Sequence, residues 1–238
     1  MARKPPLPTT TADGIAGATR ASAVYELLRA DITHGTLEPG SKLGVSAMCE
    51  RYGVGASPLR EALSRLSAEG LVARTDQRGF RVAPLSWDEL PILTRNRVQL
   101  ESLALSESIE HRDADWENRL ALLVHRLSRT PRSLADDHYV PNPEWEALHR
   151  DFHRCLLMRC PSRWLKVFCD TLTDEAYRFR QLAAVKVFSS RNEHAEHVAI
   201  FEAAINGRAE EAVRLLGEHY TRTTRVVATQ ARELGHAA

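Results

Sequence analysis

The sequence is poor in the features that mark several protein classes. Its 238 residues include four cysteines and no CxxC pair, which argues against a disulfide-stapled secreted scaffold or a thiolate zinc site. The apolar runs are far shorter than the roughly 20 residues of a membrane-spanning helix. The first 20 residues lack the apolar segment of a secretory signal. These absences predict a cytoplasmic protein with reduced thiols and no membrane partner.

Charge and histidine are unevenly distributed along the chain. The net charge is +1, but residues 1–86 carry +3 and the remainder carries −2. This mild asymmetry agrees with nucleic-acid binding by the N-terminal part. Nine of the ten histidines lie beyond residue 86. A histidine-rich, cysteine-poor region favours a metal site built from imidazoles.

Residue patterns predict a mainly α protein with two folded parts. Residues 1–18, rich in Thr, Pro and Gly, are predicted to form a disordered tail. Residues 19–83 have the pattern of a winged helix-turn-helix. Residues 84–87 form a short linker, and residues 88–235 predict an all-α bundle of about six helices.

Three short helices are predicted in the N-terminal part. Apolar periodicity places the first over Ala21–His34 and the second over Val45–Arg51. Ser57 is a candidate N-cap of the third helix, with Pro58 at its first position and Gly70 at its end. In a helix-turn-helix this third helix enters the major groove of DNA.

Two short strands, Leu71–Arg74 and Phe80–Val82, are predicted to follow, and the turn between them forms the wing. Arg60 points outward near the start of the third helix and could bind a guanine edge or a phosphate. The other candidates for DNA contact are polar, cationic or small residues in the third helix, before the second helix or in the wing. The full predicted set is Lys42, Ser57, Pro58, Arg60, Ser64, Arg78 and Gly79.

The segment Pro39–Val82 resembles the GntR family of bacterial transcription regulators. Residues 54–63 read V-G-A-S-P-L-R-E-A-L, where the family pattern is V-S-R-T-P-V-R-E-A-L. The resemblance implies a DNA-binding regulator acting as a homodimer on a pseudo-palindromic operator. The family's Ser-Arg pair is replaced by Gly55-Ala56, which leaves Arg60 as the main cationic reader of the operator.

Four histidines fall on faces predicted to point into the helical bundle. His149 and His153 are four residues apart on one helix, and His197 and His219 lie on the apolar faces of two others. Burying four imidazoles without partners is costly, and a shared cation would satisfy them. Imidazole nitrogens suit Zn²⁺ or Ni²⁺. Alternatively, each is a separate, hydrogen-bonded core histidine.

Residues 87–235 resemble the FCD ligand-binding domain of FadR-like GntR regulators. The marks are His149 one turn before Phe152-His153, the motif Glu196-His197, and His219 in the last helix. The resemblance implies a divalent metal at the four histidines and a small carboxylate effector beside it. His149 replaces a carboxylate or carboxamide of the family, which shifts the expected metal toward Zn²⁺ or Ni²⁺.

Three arginines are candidates for binding the effector. Arg97 matches a family pattern and is spaced to pair with Glu101, and Arg178 and Arg180 lie on a later helix. The favoured interpretation is a repressor controlled by a small organic acid. A metal-dependent hydrolase fused to a DNA-binding domain is the second hypothesis, although no general base accompanies the histidines. A direct metal sensor is the third.

Overall fold

The computed structural model describes residues 19–75, 79–135, 137, 140–183 and 193–233. The predicted tail and the tip of the wing lie outside the described residues. The chain divides into two compact units, Met1–Leu85 and Ser86–Ala238. Across the described parts of the chain, no helix combines the length and apolarity needed to cross a membrane.

The first unit combines three helices with a small antiparallel sheet. Its elements are α1 (Arg20–Thr33), β1 (Lys42–Leu43), α2 (Val45–Tyr52), α3 (Ala56–Ala68), β2 (Val72–Thr75) and β3 (Gly79–Val82). The strand order is β1-β3-β2. Because β1 has two residues, it is too short to show the alternation that reveals a strand in a sequence, and it was not predicted.

The core of this unit holds the third helix by one face. Leu59, Leu63 and Leu66 of α3 are fully buried, together with Leu28 of α1. Spacings of three and four residues place these α3 side chains on one stripe. The opposite stripe remains in solvent, as a DNA-reading helix requires.

The predicted start of α3 was wrong by two residues. Gly55 is the N-cap, and α3 begins at Ala56, so Ser57 is the second helical residue and Pro58 the third. A proline is tolerated there because the first N–H groups of a helix have no intrahelical acceptor. Pro58 is therefore compatible with the helix because it lies in the first turn, although it is not the first helical residue.

The second unit is all-helical in its described residues. A short 3₁₀ turn at Trp87–Glu89 leads into α4 (Leu90–Glu110). The remaining helices are α5 (Ala114–Arg129), α6 (Pro143–Leu156), α7 (Arg163–Ala183), α8 (Glu193–Ile205) and α9 (Ala209–Glu233). Trp87, assigned to the linker from the sequence, packs edge-on against Phe179 of α7 with the ring centroids 5.3 Å apart.

Local signals account for how these helices begin and pack. The Asn142 side chain accepts a hydrogen bond from the Glu144 amide at 3.0 Å and caps α6. Trp116 of α5 is fully buried, and its Nε1–H donates to the Cys155 carbonyl at 2.6 Å. This bond satisfies the one polar atom of the indole and fixes α5 against α6.

Candidate metal centre and DNA-binding surface

Four imidazoles from three helices meet inside the helical unit. His149 and His153 come from α6, His197 from α8 and His219 from α9, with exposed fractions of 8, 5, 1 and 3%. One nitrogen of each ring lies within 4.8 Å of the others. The one-turn spacing on α6 and the packing of α8 against α9 produce this convergence.

A hydrogen-bonded chain orients the His153 ring. Tyr220 donates to Oε2 of Glu101, and its oxygen lies 3.1 Å from Nδ1 of His153. Burial, and then the Glu101 charge, raises the pKa of Tyr220 well above its usual value, so the phenol stays a donor to the carboxylate. Its oxygen can therefore accept a hydrogen bond from Nδ1–H of His153, which leaves the lone pair of that ring on Nε2, toward the other rings.

Glu196 orients the His219 ring. Its Oε2 lies 2.8 Å from Nδ1 of His219, so a neutral ring carries its proton on Nδ1 and its lone pair on Nε2. Glu196 precedes His197 directly on α8. Two adjacent residues thus supply an imidazole of the cluster and the carboxylate that orients another imidazole.

The ring of His149 contacts a guanidinium. Arg180 donates to Nδ1 of His149 at 3.1 Å and also pairs with buried Glu146. The His149 ring stacks on Trp145, and its Nε2 lies 3.2 Å from Nε2 of His153. Because a guanidinium can only donate, Arg180 engages the Nδ1 lone pair in this arrangement.

The environment favours neutral imidazoles. Burial, followed by the charge of Arg180, lowers the pKa of His149 well below its usual value. Burial and the neighbouring imidazoles do the same for His153. Neutral rings offer lone pairs, which is the state a metal ion requires.

A cleft of about 50 Å³ adjoins the cluster. His149, His153 and His219 line it, as do Arg97 and Arg180. Its other polar lining residues are Thr94, Arg150, Thr173, Tyr177, Tyr220, Thr223 and Thr224. The cleft therefore places positive and hydroxyl-bearing side chains beside the imidazoles.

The three predicted effector arginines differ in placement. Arg97 pairs with Glu101 at 2.8 Å and lies over the Tyr220 ring at 4.0 Å, so it borders the cleft while bound to a carboxylate. Arg180 borders the cleft as well. Arg178 pairs with Glu175 at 2.9 Å and does not line the cleft.

Sequence reasoning missed residues that the structure places beside the cluster. Glu196 and Tyr220 are each adjacent in sequence to a histidine of the cluster, and that adjacency was the available signal. Arg150 lies between the two histidines of α6 and lines the cleft. Arg150 follows His149 directly on α6, so helical periodicity places it off the face of the two histidines, and the sequence offered no reason to expect it at the cleft.

On the first unit, the exposed stripe of α3 carries the predicted DNA-contacting residues. Ser57 and Arg60 are exposed, and Ser64 accepts a hydrogen bond from Arg74 of β2 at 2.7 Å. Arg74 was not predicted, yet this bond places its guanidinium against the recognition helix. Pro58 is half-buried in the first turn.

The structure describes two of the three predicted DNA-contacting residues that lie outside α3. Lys42 is exposed on β1, which pairs with β3. Gly79 is exposed at the start of β3 with φ 95°, a conformation that glycine adopts without strain. Arg78 lies outside the described residues.

Comparison with known proteins covers both units. Residues 20–82 match the family described as bacterial regulatory proteins, gntR family, and residues 93–222 match the FCD domain. The uncharacterized HTH-type transcriptional regulator BphR of Paraburkholderia xenovorans (strain LB400) is 39% identical over 206 residues, 86% of this chain and 84% of that protein. The HTH-type transcriptional repressor GlaR of Escherichia coli (strain K12) is 31% identical over 199 residues, 82% and 90% of the two chains.

Solved structures share the fold. E. coli McbR/YncC superposes with a TM-score of 0.76 at 19% identity, covering 90% of this chain and 99% of that one. The structure named putative transcriptional regulator GntR from Rhodococcus sp. RHA1 gives a TM-score of 0.69 at 21% identity, covering 93% of this chain and 100% of that one. The winged first unit, the helical second unit and these matches agree, and the chain belongs to the GntR family of DNA-binding transcription regulators, with an FCD domain.

Proposed function

We propose that this regulator is a repressor whose operator binding is controlled by a small organic acid bound at a Zn²⁺ or Ni²⁺ site in the helical unit. The observation that carries the proposal is the meeting of four buried imidazoles beside an arginine-lined cleft. Repression is suggested by GlaR, a relative that is named a repressor. In this proposal Arg60 and its neighbours on α3 read a pseudo-palindromic operator.

The donor set fits a borderline metal ion. Neutral imidazoles are suitable ligands for Zn²⁺ and Ni²⁺, whereas Mg²⁺ or Ca²⁺ would require oxygen donors. Glu196 and Tyr220 hold two rings with their Nε2 lone pairs toward the cluster. For His149 to bind through Nε2, its proton must move to Nδ1 and Arg180 must withdraw. A bound metal would supply a positive centre for a carboxylate oxygen.

The cleft chemistry favours a small acid as effector. Arg97, Arg150 and Arg180 line it together, and guanidinium groups bind carboxylates with charge-assisted hydrogen bonds. Each already pairs with a protein carboxylate, so the effector must compete for or share these pairs. A ligand regulates only if it binds one arrangement of the protein better than another.

The carboxylates beside the histidine cluster give the hydrolase alternative little support. Among the residues that the structure describes, Glu101, Glu146 and Glu196 contact the imidazoles or their hydrogen-bond partners, and each is hydrogen-bonded to an arginine, tyrosine or histidine. Asp151 of α6 is exposed. A general base must reach the proton that it abstracts, and these geometries give the regulator the better support.

The homodimer is supported by an exposed face on α4 and α7 that is rich in apolar side chains. Leu103, Trp164, Val167 and Phe168 are 53, 62, 56 and 55% exposed, and Asn96, Gln99 and Leu100 join Phe168 along the groove between the helices. An exposed apolar patch rimmed by polar residues is typical of a protein–protein contact, so we assign the face to a second copy of this chain.

Replacing Glu196 with alanine is expected to weaken zinc binding by about 10- to 100-fold, because the His219 ring loses the carboxylate that fixes its tautomer. Competition with a chromophoric zinc chelator measures the affinity. Glu202→Ala, an exposed position on the same helix, is the matched control. Equal zinc affinity in wild type and Glu196→Ala would contradict the assigned role.

A panel of small carboxylates and sugar acids on zinc-loaded protein is expected to give a stabilising hit. At a hundredfold excess over its Kd, a ligand of the native state adds about 2.7 kcal/mol, or roughly 5–10 °C in Tm. The hit should vanish in His153→Ala. A large shift with zinc alone and none with any acid would instead support the metal sensor.

Arg60→Ala is expected to remove specific operator binding. A guanidinium on a guanine edge contributes about 1–3 kcal/mol per half-site, and a dimer loses the contribution twice. Operators selected from a random library, followed by anisotropy titrations, measure the change. Arg129→Ala on α5 controls for lost charge, and unchanged affinity in Arg60→Ala would refute the contact.

Phe168→Glu is expected to convert the dimer to a monomer at micromolar concentration, since the interface would bury an unpaired charge. Sedimentation equilibrium measures the molecular mass. Leu122→Glu is the matched control, because Leu122 is an equally exposed leucine on α5. If both variants sediment like wild type, the face on α4 and α7 is not the dimer interface.

A further inference from the structure

A second cleft, of about 300 Å³, lies between α5, α6 and α7. Its volume is at the lower end of the ~300–1,000 Å³ range of small-molecule sites. The floor is made of apolar and sulfur-bearing side chains: Leu123, Cys155, Leu157, Met158 and Cys169. The cleft shares His153 and Thr173 with the cleft at the histidine cluster.

The two thiols of the floor act as apolar surface. Burial raises the pKa of Cys155 to about 11 and that of Cys169 to about 12. Both therefore remain protonated at neutral pH and pack as small hydrophobic groups. With Met158 they form a polarizable lining, which favours contact with a flat ring.

Two cations meet at this floor. Nη1 of Arg119 lies 3.9 Å from Sδ of Met158, and Nζ of Lys166 lies 3.5 Å from the Met158 carbonyl oxygen. Among the residues that the structure describes, no carboxylate forms an ion pair with either. Arg154, a third cation of the cleft, is paired with Asp170 at 2.8 Å.

We propose that this cleft binds an apolar monocarboxylate, with its carboxylate between Arg119 and Lys166 and its apolar body on the sulfur-lined floor. The two cations come from different helices and line the same cleft, and guanidinium and ammonium groups both bind carboxylates with charge-assisted hydrogen bonds. Three carboxylates also line the cleft. Glu101 is hydrogen-bonded to Arg97 and Tyr220, and Asp170 is paired with Arg154. The third, exposed Asp151, disfavours ligands with a second negative charge. The carboxylate of this ligand would not bind the metal, although the cleft adjoins the effector site proposed above through His153 and Thr173.

The ring of the ligand would gain from removal of apolar surface from water. A rigid aromatic acid also loses little conformational freedom on binding. Benzoate is therefore the probe of choice, and benzamide is its neutral counterpart of nearly the same shape. Calorimetric titration of the full-length, metal-loaded protein measures both affinities.

Benzoate is expected to bind wild type at least tenfold more tightly than benzamide does. The double variant Arg119→Gln/Lys166→Met should weaken benzoate binding at least tenfold and leave benzamide unaffected. Arg126→Gln/Arg163→Met is the matched control, because it removes the same charge from exposed positions on the same two helices. Equal loss in both double variants would overturn the site, as would equal affinity for the acid and the amide.

His219→Ala separates the two clefts. His219 lines the cleft of the histidine cluster and not the sulfur-lined cleft, so benzoate affinity is expected to survive this change. Loss of benzoate binding in His219→Ala, with full binding in Arg119→Gln/Lys166→Met, would place the acid at the metal centre and refute the proposal. Folding of each variant is checked by circular dichroism and Tm.

Discussion

The helical unit depends on how four imidazoles are buried together. A buried polar nitrogen without a partner costs a few kcal/mol, and the chain places four such rings in one region. Glu196, Tyr220 and Arg180 each satisfy one ring nitrogen from the outside. One nitrogen of each ring also lies within 4.8 Å of those of the other three, which makes a shared cation the simplest way to complete the set.

This constraint explains why so many charged residues lie inside the unit. Glu101 is 1% exposed, yet it receives hydrogen bonds from Arg97, Thr173 and Tyr220. A buried carboxylate is tolerated only when it is paired and hydrogen-bonded. The arginines near the cleft therefore have a structural task as well as the proposed binding task, and their substitution would disturb both.

The sequence predicted the order of the helices and of the two wing strands, and the buried faces of the helices, because these follow from local periodicity. The stripe of Leu59, Leu63 and Leu66 and the one-turn spacing of His149 and His153 are visible in the chain. The partners of these residues depend on the rotation and depth of neighbouring helices, which no local pattern encodes. For that reason the bond between Arg74 and Ser64 and the burial of Glu101 appear only in three dimensions. The start of α3 was misplaced because Gly55 and Ser57 both suit the cap of a helix.

The hydrogen bonds through Tyr220 join parts of the unit that are far apart in sequence. Tyr220 of α9 contacts His153 of α6 on one side and Glu101 of α4 on the other. The opposite face of α4 carries Leu103, within the surface assigned to a second copy of the chain. These contacts connect His153 directly to the helix that would form the subunit contact in the proposed dimer, so a displacement of His153 would act on that helix. By thermodynamic reciprocity, subunit association would in turn alter ligand affinity. Dilution of the protein below the dissociation constant of the dimer would therefore change its response to ligand.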